Sequence, residues 1–227
     1  MLERSTTVVN AVLVLDVSSS VQGKRLTALR QAAHALVDAL WPTDSITLLA
    51  FATDLRLVAR PGAPRPEVHA VVDHLEGGGA TTLVDAAYAA LLLTDPRRGR
   101  PLVVVFSDGV DRASWLTPEQ ALSTARASDA VVHYVEVEAA EVERARSFLG
   151  PLVGATGGQG WSARHNEGLR GAFVEALEEF KSRYRLRYEP IGVPPGGRHE
   201  ITVWLVGQKG KERARPGYEV PGGHGVP

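Results

Sequence analysis

The patterned part of the chain opens with Val8-Val9-Asn10-Ala11-Val12-Leu13-Val14-Leu15, an almost unbroken β-branched and aliphatic run that stops at Asp16. A strand covered on both faces reads this way, because neither face is left polar. After a Ser-rich turn, Leu26, Leu29, Ala33, Leu36, Val37 and Leu40 recur at helical spacing until Pro42 ends the pattern, which predicts a helix laid over that strand. Ser45 to Phe51 predicts a second strand, with Leu55 to Val58 as a short edge strand paired to it, before Pro61, Pro64 and Pro66 break the chain. Val68, Val71, Val72 and Leu75 predict a short helix that ends in the flexible loop Gly77-Gly78-Gly79.

A helix follows from about Leu83 to Leu93, then a third buried strand, Leu102 to Phe106, closing at Ser107-Asp108-Gly109. Thr117-Pro118-Glu119 opens a helix with Pro at its first position, Ala130 to Val137 is a further strand, and Val142 to Leu152 is helical. The stretch Gly157 to Trp161 carries a last short strand before a helix from about Glu167 to Ser182. Strands alternating with helices at this rhythm predict an α/β fold: a doubly wound, mostly parallel sheet with helices on both faces and right-handed crossovers. The tail changes character. Arg183 to Tyr188 alternates strictly, Ile201 to Val206 is strand-like, and Pro194-Pro195-Gly196-Gly197 is a turn between them, so residues 183–220 are expected to form an antiparallel β extension of the 8–182 domain, with 221–227 frayed.

Composition narrows the chemistry. With 227 residues, 44% hydrophobic and 22% charged, the chain can bury a core without a metal or disulfide staple. It has no cysteine, which removes disulfide scaffolds, thiolate zinc sites, iron–sulfur clusters and cysteine nucleophiles together. A net charge of -1 supplies no global attraction to nucleic acid or anionic membrane. The charge is uneven, since the stretch from Lys181 onward holds nine Lys and Arg against four Asp and Glu. No apolar run reaches the roughly 18 residues that would cross a bilayer, and the N-terminus lacks the charged-then-apolar order of a signal peptide.

In a doubly wound sheet, ligands bind beyond the carboxyl ends of the strands. There the first strand delivers Asp16-Val17-Ser18-Ser19-Ser20, the third buried strand delivers Ser107-Asp108-Gly109, and the glycine loop delivers Ala80-Thr81-Thr82. Asp, Ser and Thr oxygens without His or Cys form a hard-ligand set that suits Mg²⁺ best, with Mn²⁺ or Ca²⁺ as substitutes. Two carboxylates and a few neutral hydroxyls leave a divalent ion with water-filled positions, one of which an external carboxylate can fill.

Asp16-x-Ser18-x-Ser20, Thr81 after a Gly-rich loop, and Ser107-Asp108-Gly109 resemble a von Willebrand factor A domain with its metal-ion-dependent adhesion site, over about residues 8 to 182. The resemblance implies a six-stranded sheet with one antiparallel edge strand. It also implies Ser18, Ser20 and Thr81 as hydroxyl ligands, Asp16 and Asp108 as carboxylates acting directly or through water, and a protein partner offering an Asp or Glu. Gly79-Ala80-Thr81-Thr82-Leu83-Val84-Asp85-Ala86 is similar to a pattern of bacterial members and favours Thr81 over Thr82. The ending Arg215-Pro216-Gly217-Tyr218 resembles the bacterial VWFA-related proteins described from acidobacteria, which implies export. Asp85 and Asp111 are candidates for holding the ligands from behind, beside the plainer readings of a helix-surface and a loop carboxylate.

Other chemistries find less support. Ser20-Val21-Gln22-Gly23-Lys24-Arg25 lacks the early Gly and the Ser or Thr after Lys of a phosphate-binding loop, and Gly154, Gly157, Gly158 and Gly160 do not open a helix as a dinucleotide fingerprint requires. There is no Gly-x-Ser-x-Gly elbow and no paired-histidine zinc motif among seven histidines; His34 and His133 read as packing or surface residues. Arg183, Arg185 and Arg187 interleaved with Tyr184, Leu186 and Tyr188 read more simply as a charged outer face over an apolar inner face than as a nucleic-acid surface. The expectation is a non-enzymatic, metal-dependent protein-binding module. The alternatives are a Mg²⁺-dependent phosphoester hydrolase, for which only Lys24 stands near, and a structural domain with a vestigial site.

Overall fold

The computed structural model describes residues 2–4, 7–107, 110–137, 148–163, 165–186, 188–194, 196–207 and 212–220. In chain order the elements are β1 (Leu2–Arg4), β2 (Val9–Asp16), α1 (Lys24–Ala39), β3 (Ser45–Phe51), β4 (Leu55–Ala59), α2 (Arg65–Asp73), α3 (Leu83–Leu92) and β5 (Arg100–Phe106). They continue with α4 (Pro118–Ala127), β6 (Val131–Val137), α5 (Leu149–Thr156), β7 (Gly160–Ala163), α6 (Leu169–Ser182), β8 (Tyr184–Leu186), β9 (Gly197–Glu200) and β10 (Gly217–Val220). Asp108, Gly109, the predicted helical stretch 142–147, Arg187 and the tail 221–227 lie outside the described residues.

Six strands form one sheet in the order β4-β3-β2-β5-β6-β7. All neighbours run parallel except the edge pair β3–β4. The two central strands, β2 and β5, are buried at every position. Their alternation divides the core: Ala11, Leu13, Leu15, Leu102, Val104 and Phe106 pack under α1, α2 and α6, while Val12, Val14, Val103 and Val105 pack under α3, α4 and α5. That two-sided burial is why these strands are continuous apolar runs in sequence.

The helices begin and end for identifiable reasons. Thr117 closes a capping box on α4, its hydroxyl accepting from Gln120 N–H while Gln120 Oε1 accepts from Thr117 N–H, with Pro118 at the first helical position. α5 stops at Gly157, whose φ of +70° closes the helix in the left-handed region. Lys181 at the end of α6 is buried: its Nζ donates to Ala39 O at 2.8 Å and lies over the Trp41 ring at 4.5 Å, tying α6 to the end of α1.

The tail forms antiparallel β structure as expected, but among the described residues 183–188 does not pair with 201–206: β8 pairs antiparallel with β1, and β9 with β10. The N-terminal segment Leu2–Arg4, too short to register as a strand by pattern, supplies β8 with its partner. The β9–β10 ladder runs one residue further, through Ile201 N–H to Pro216 O at 2.9 Å. Pro216 has no N–H to return, and the strand-like segment beyond Ile201 lies outside the sheet, with Trp204 and Val206 exposed.

Candidate metal site

The parallel register of β2 and β5 sets Leu15 beside Phe106, so the next residues, Asp16 and Ser107, emerge together at the carboxyl end of the sheet. Asp16 is fully buried. Its Oδ1 accepts from Ser18 N–H at 2.9 Å and its Oδ2 from the Ser107 hydroxyl at 2.8 Å. The first of these bonds bends the chain sharply after β2, as Asp favours. Ser18 and Ser20 then bring their hydroxyl oxygens to 3.1 Å from one another, Ser18 buried and Ser20 exposed.

The glycine loop is stitched to this turn through its backbone. Gly78 N–H donates to Val17 O at 2.7 Å and Ser19 N–H to Gly79 O at 3.0 Å. Gly79 has φ of +90°, and a Cβ there would meet Thr53 Oγ1 at 2.5 Å, so both the turn and the close approach require glycine. Thr82 gives both its N–H and its hydroxyl to Ala52 O, at 3.1 and 2.8 Å. Thr81, from the same loop, is 2% exposed.

Asp85 and Asp111 fasten the neighbouring loop. Asp85, in the first turn of α3, accepts from Trp115 and Leu116 N–H at 3.0 and 2.9 Å. Asp111 accepts from Val84 N–H at 3.2 Å and from the Ser114 hydroxyl at 2.5 Å. Thr81 O in turn accepts from Arg112 and Ala113 N–H, so these carboxylates brace the segment that flanks Thr81. Residues of this kind fix the orientation of ligands they do not replace.

The donor set fits a hard divalent cation. A buried carboxylate, two converging hydroxyls and a buried threonine are all oxygen donors. Among the described residues, no group of three or more His, Cys, Asp or Glu side chains is placed to hold a metal, so an ion here would rest on hydroxyls and water as much as on carboxylate. Asp108 lies outside the described residues. Ser107 was not assigned a role from sequence; its position after a buried strand that neighbours β2 is the signal that identifies it as the support of Asp16.

The histidines sort differently. His133 on β6 is fully buried against Trp161 and Phe180, with ring centroids at 4.9 and 6.3 Å, and its Nδ1 accepts from Gln159 N–H. Its Nε2 lies 3.0 Å from Glu179 Oε2. Burial pushes His133 below its ordinary pKa of 6.5, outweighing the pull of Glu179. Burial alone would raise Glu179, but His133 and the Arg183 fork outweigh it and hold the carboxyl at about 2. His34 meets a partner that periodicity alone did not pair with it: its Nδ1 lies 2.6 Å from His69 Nδ1, and the outer nitrogens face Asp73 and Asp38, which ties α1 to α2.

Comparison with known proteins agrees with this architecture. Residues 11–110 match the family model of the von Willebrand factor type A domain. Among solved structures, the chain resembles a von Willebrand factor type A protein from Catenulispora acidiphila at TM-score 0.62 and 17% identity, over 74% of this chain but only 41% of that one. It resembles the conserved hypothetical protein BatB from Bacteroides thetaiotaomicron at TM-score 0.60 and 14% identity, covering 75% and 98% of the two chains. It also resembles the vWF domain of the type V pili tip protein Mfa5 from Porphyromonas gingivalis at TM-score 0.66 and 12% identity, covering 81% and 99%. No curated protein matches the chain. No helix among the described residues is long and apolar enough to cross a membrane. The chain thus has the von Willebrand factor type A fold, and over residues 11–110 it matches that domain family in sequence as well.

Proposed function

We propose that this chain is a protein-binding module whose binding face is organised by a divalent cation, Mg²⁺ or Mn²⁺. Ser18, Ser20 and Thr81 would hold it by their hydroxyls, with Asp16 and Asp108 as carboxylates acting directly or through water, and an Asp or Glu of the partner completing the coordination. The observation that carries the reading is the buried Asp16 carboxylate, held by Ser107 and Ser18 N–H two residues before hydroxyls that converge to 3.1 Å. The ion supplies a Lewis-acid anchor for the incoming carboxylate. The residues of the chain would set its position: Asp16 is oriented by Ser107, and the Thr81 loop is clamped to the β2 turn through Gly78 and Gly79.

The match of residues 11–110 to the von Willebrand factor type A domain supports reading the chain as a binder rather than an enzyme. The pilus-tip origin of one fold neighbour, together with the resemblance of the Arg215–Tyr218 ending to exported bacterial proteins, supports a role outside the cytoplasm. Titration of Mn²⁺ followed by electron paramagnetic resonance tests the site. Wild type should bind one ion saturably, and Thr81→Ala should bind it at least about tenfold more weakly, the scale of one lost charge-assisted contact. Equal binding by both proteins would exclude Thr81 from the site, and Mg²⁺-dependent turnover of p-nitrophenyl phosphate abolished by Asp16→Ala would replace the binding reading with a hydrolase.

A further inference from the structure

At the amino ends of the parallel strands, the pole opposite Asp16, a cavity of about 480 Å³ opens between the starts of β5 and β6, the end of α6, and β8. Arg100, Phe180, Tyr184, Arg185 and Leu186 line it. Arg100 is only 8% exposed, and its Nη1 is buried with no hydrogen-bond partner. Its guanidinium carbon lies over the Phe180 ring, 4.2 Å from the centroid. Stacking of this kind covers the face of the group and leaves its N–H edge to donate in plane.

The charge around it is unbalanced. Arg183 is neutralised by Glu179, which its fork grips at 2.9 to 3.1 Å. Arg185 makes no ion pair among the described residues, and Asp129, which also lines the cavity, bears on Arg215. Burial, reinforced by repulsion from Arg185 and Arg183, lowers Arg100 to about 10, so it keeps its charge at neutral pH. A buried donor of an ionised group left unmade is costly, and folds retain such a group where something completes it.

We propose that this cavity is an anion site that takes the phosphate group of a small phosphomonoester, with Arg100 and Arg185 as its donors. Two guanidinium forks suit the oxygens of a dianion. The volume exceeds what a phosphate needs, and the apolar walls of Phe180, Tyr184 and Leu186 suit the organic group that carries it. Nothing in this site depends on the metal face.

The test uses the full chain at constant ionic strength, titrated with inorganic phosphate and with phenyl phosphate and followed by the Arg Nε–H resonances. Both probes should bind saturably, phenyl phosphate more tightly. Arg100→Gln and Arg185→Gln should each weaken both by about tenfold or more, as expected for one lost hydrogen bond to a charged group. Arg185 sits on the outer strand β8, so its variant keeps the test open if Arg100→Gln does not fold. No saturable response to either probe, or one that survives the folded variants, would overturn the proposal.

Discussion

Asp16 shows what a single buried carboxylate demands of its surroundings. Its two oxygens are held by Ser107 Oγ and Ser18 N–H, so Ser107→Ala leaves one lobe short of a donor. That variant should lose about 1–3 kcal/mol in urea unfolding and bind Mg²⁺ more weakly, with its fold unchanged. Asp85→Ala strips the acceptor from Trp115 and Leu116 N–H, and a loss of similar size, about 1–3 kcal/mol, is expected. At the far side of the sheet, His133 and Glu179 link stability to pH. Both have folded pKa values below their ordinary ones, so the unfolded chain binds more protons and stability falls as pH drops. The loss begins as the unfolded histidine protonates near 6.5 and resumes as the unfolded carboxyl protonates from 4.5 down toward about 2. His133→Gln should flatten urea midpoints between neutral pH and the onset of the carboxyl window; an unchanged slope there would acquit His133.

Among elements, those with a strong local signal were legible in the chain itself. Ser45–Phe51 reads as a strand because its pattern and flanking turns coincide, and the structure has it at those bounds. The helix opened by Thr117-Pro118 reads from its cap, and Thr117→Ala should cost about 1 kcal/mol by thermal or urea unfolding. That Asp16, Ser18 and Ser20 lie at one pole of the sheet was readable because a buried strand ends there, and the glycine loop that carries Thr81 is hydrogen-bonded to the same turn. What was not legible is non-local pairing. β8 takes β1 from the other end of the chain, and the β9–β10 ladder goes no further than the Ile201 N–H to Pro216 O bond. Likewise His34 and His69 stand 35 residues apart, and no periodicity within either helix announces that their rings meet. The Gly77–Gly79 loop was expected to be flexible, yet Gly78 and Gly79 are hydrogen-bonded to the β2 turn. Gly79→Ala should therefore shift the Thr81 loop and weaken metal binding more than it lowers global stability, which paired Mn²⁺ titration and urea unfolding would separate.

Over the whole molecule, one sheet carries two hydrophobic cores and presents two polar poles. The cores share β2 and β5, so Leu13→Ala, at a site with no exposure, should cost about 2–5 kcal/mol and loosen both poles together. The poles differ in chemistry: among the described residues, oxygen donors gather at the carboxyl ends of the strands, and at the amino ends the buried Arg100 Nη1 has no hydrogen-bond partner. The central claim is that the first pole holds a divalent cation through Asp16 and the hydroxyls beside it. A ligand bound only by the native state must raise its stability by mass action. Thermal unfolding of wild type and Asp16→Ala in EDTA, and then in millimolar Mg²⁺, Mn²⁺ or Ca²⁺, reads this directly. The account predicts a concentration-dependent rise in Tm for wild type with Mg²⁺ or Mn²⁺ and none for Asp16→Ala; identical unfolding of wild type with EDTA and with each metal would contradict it.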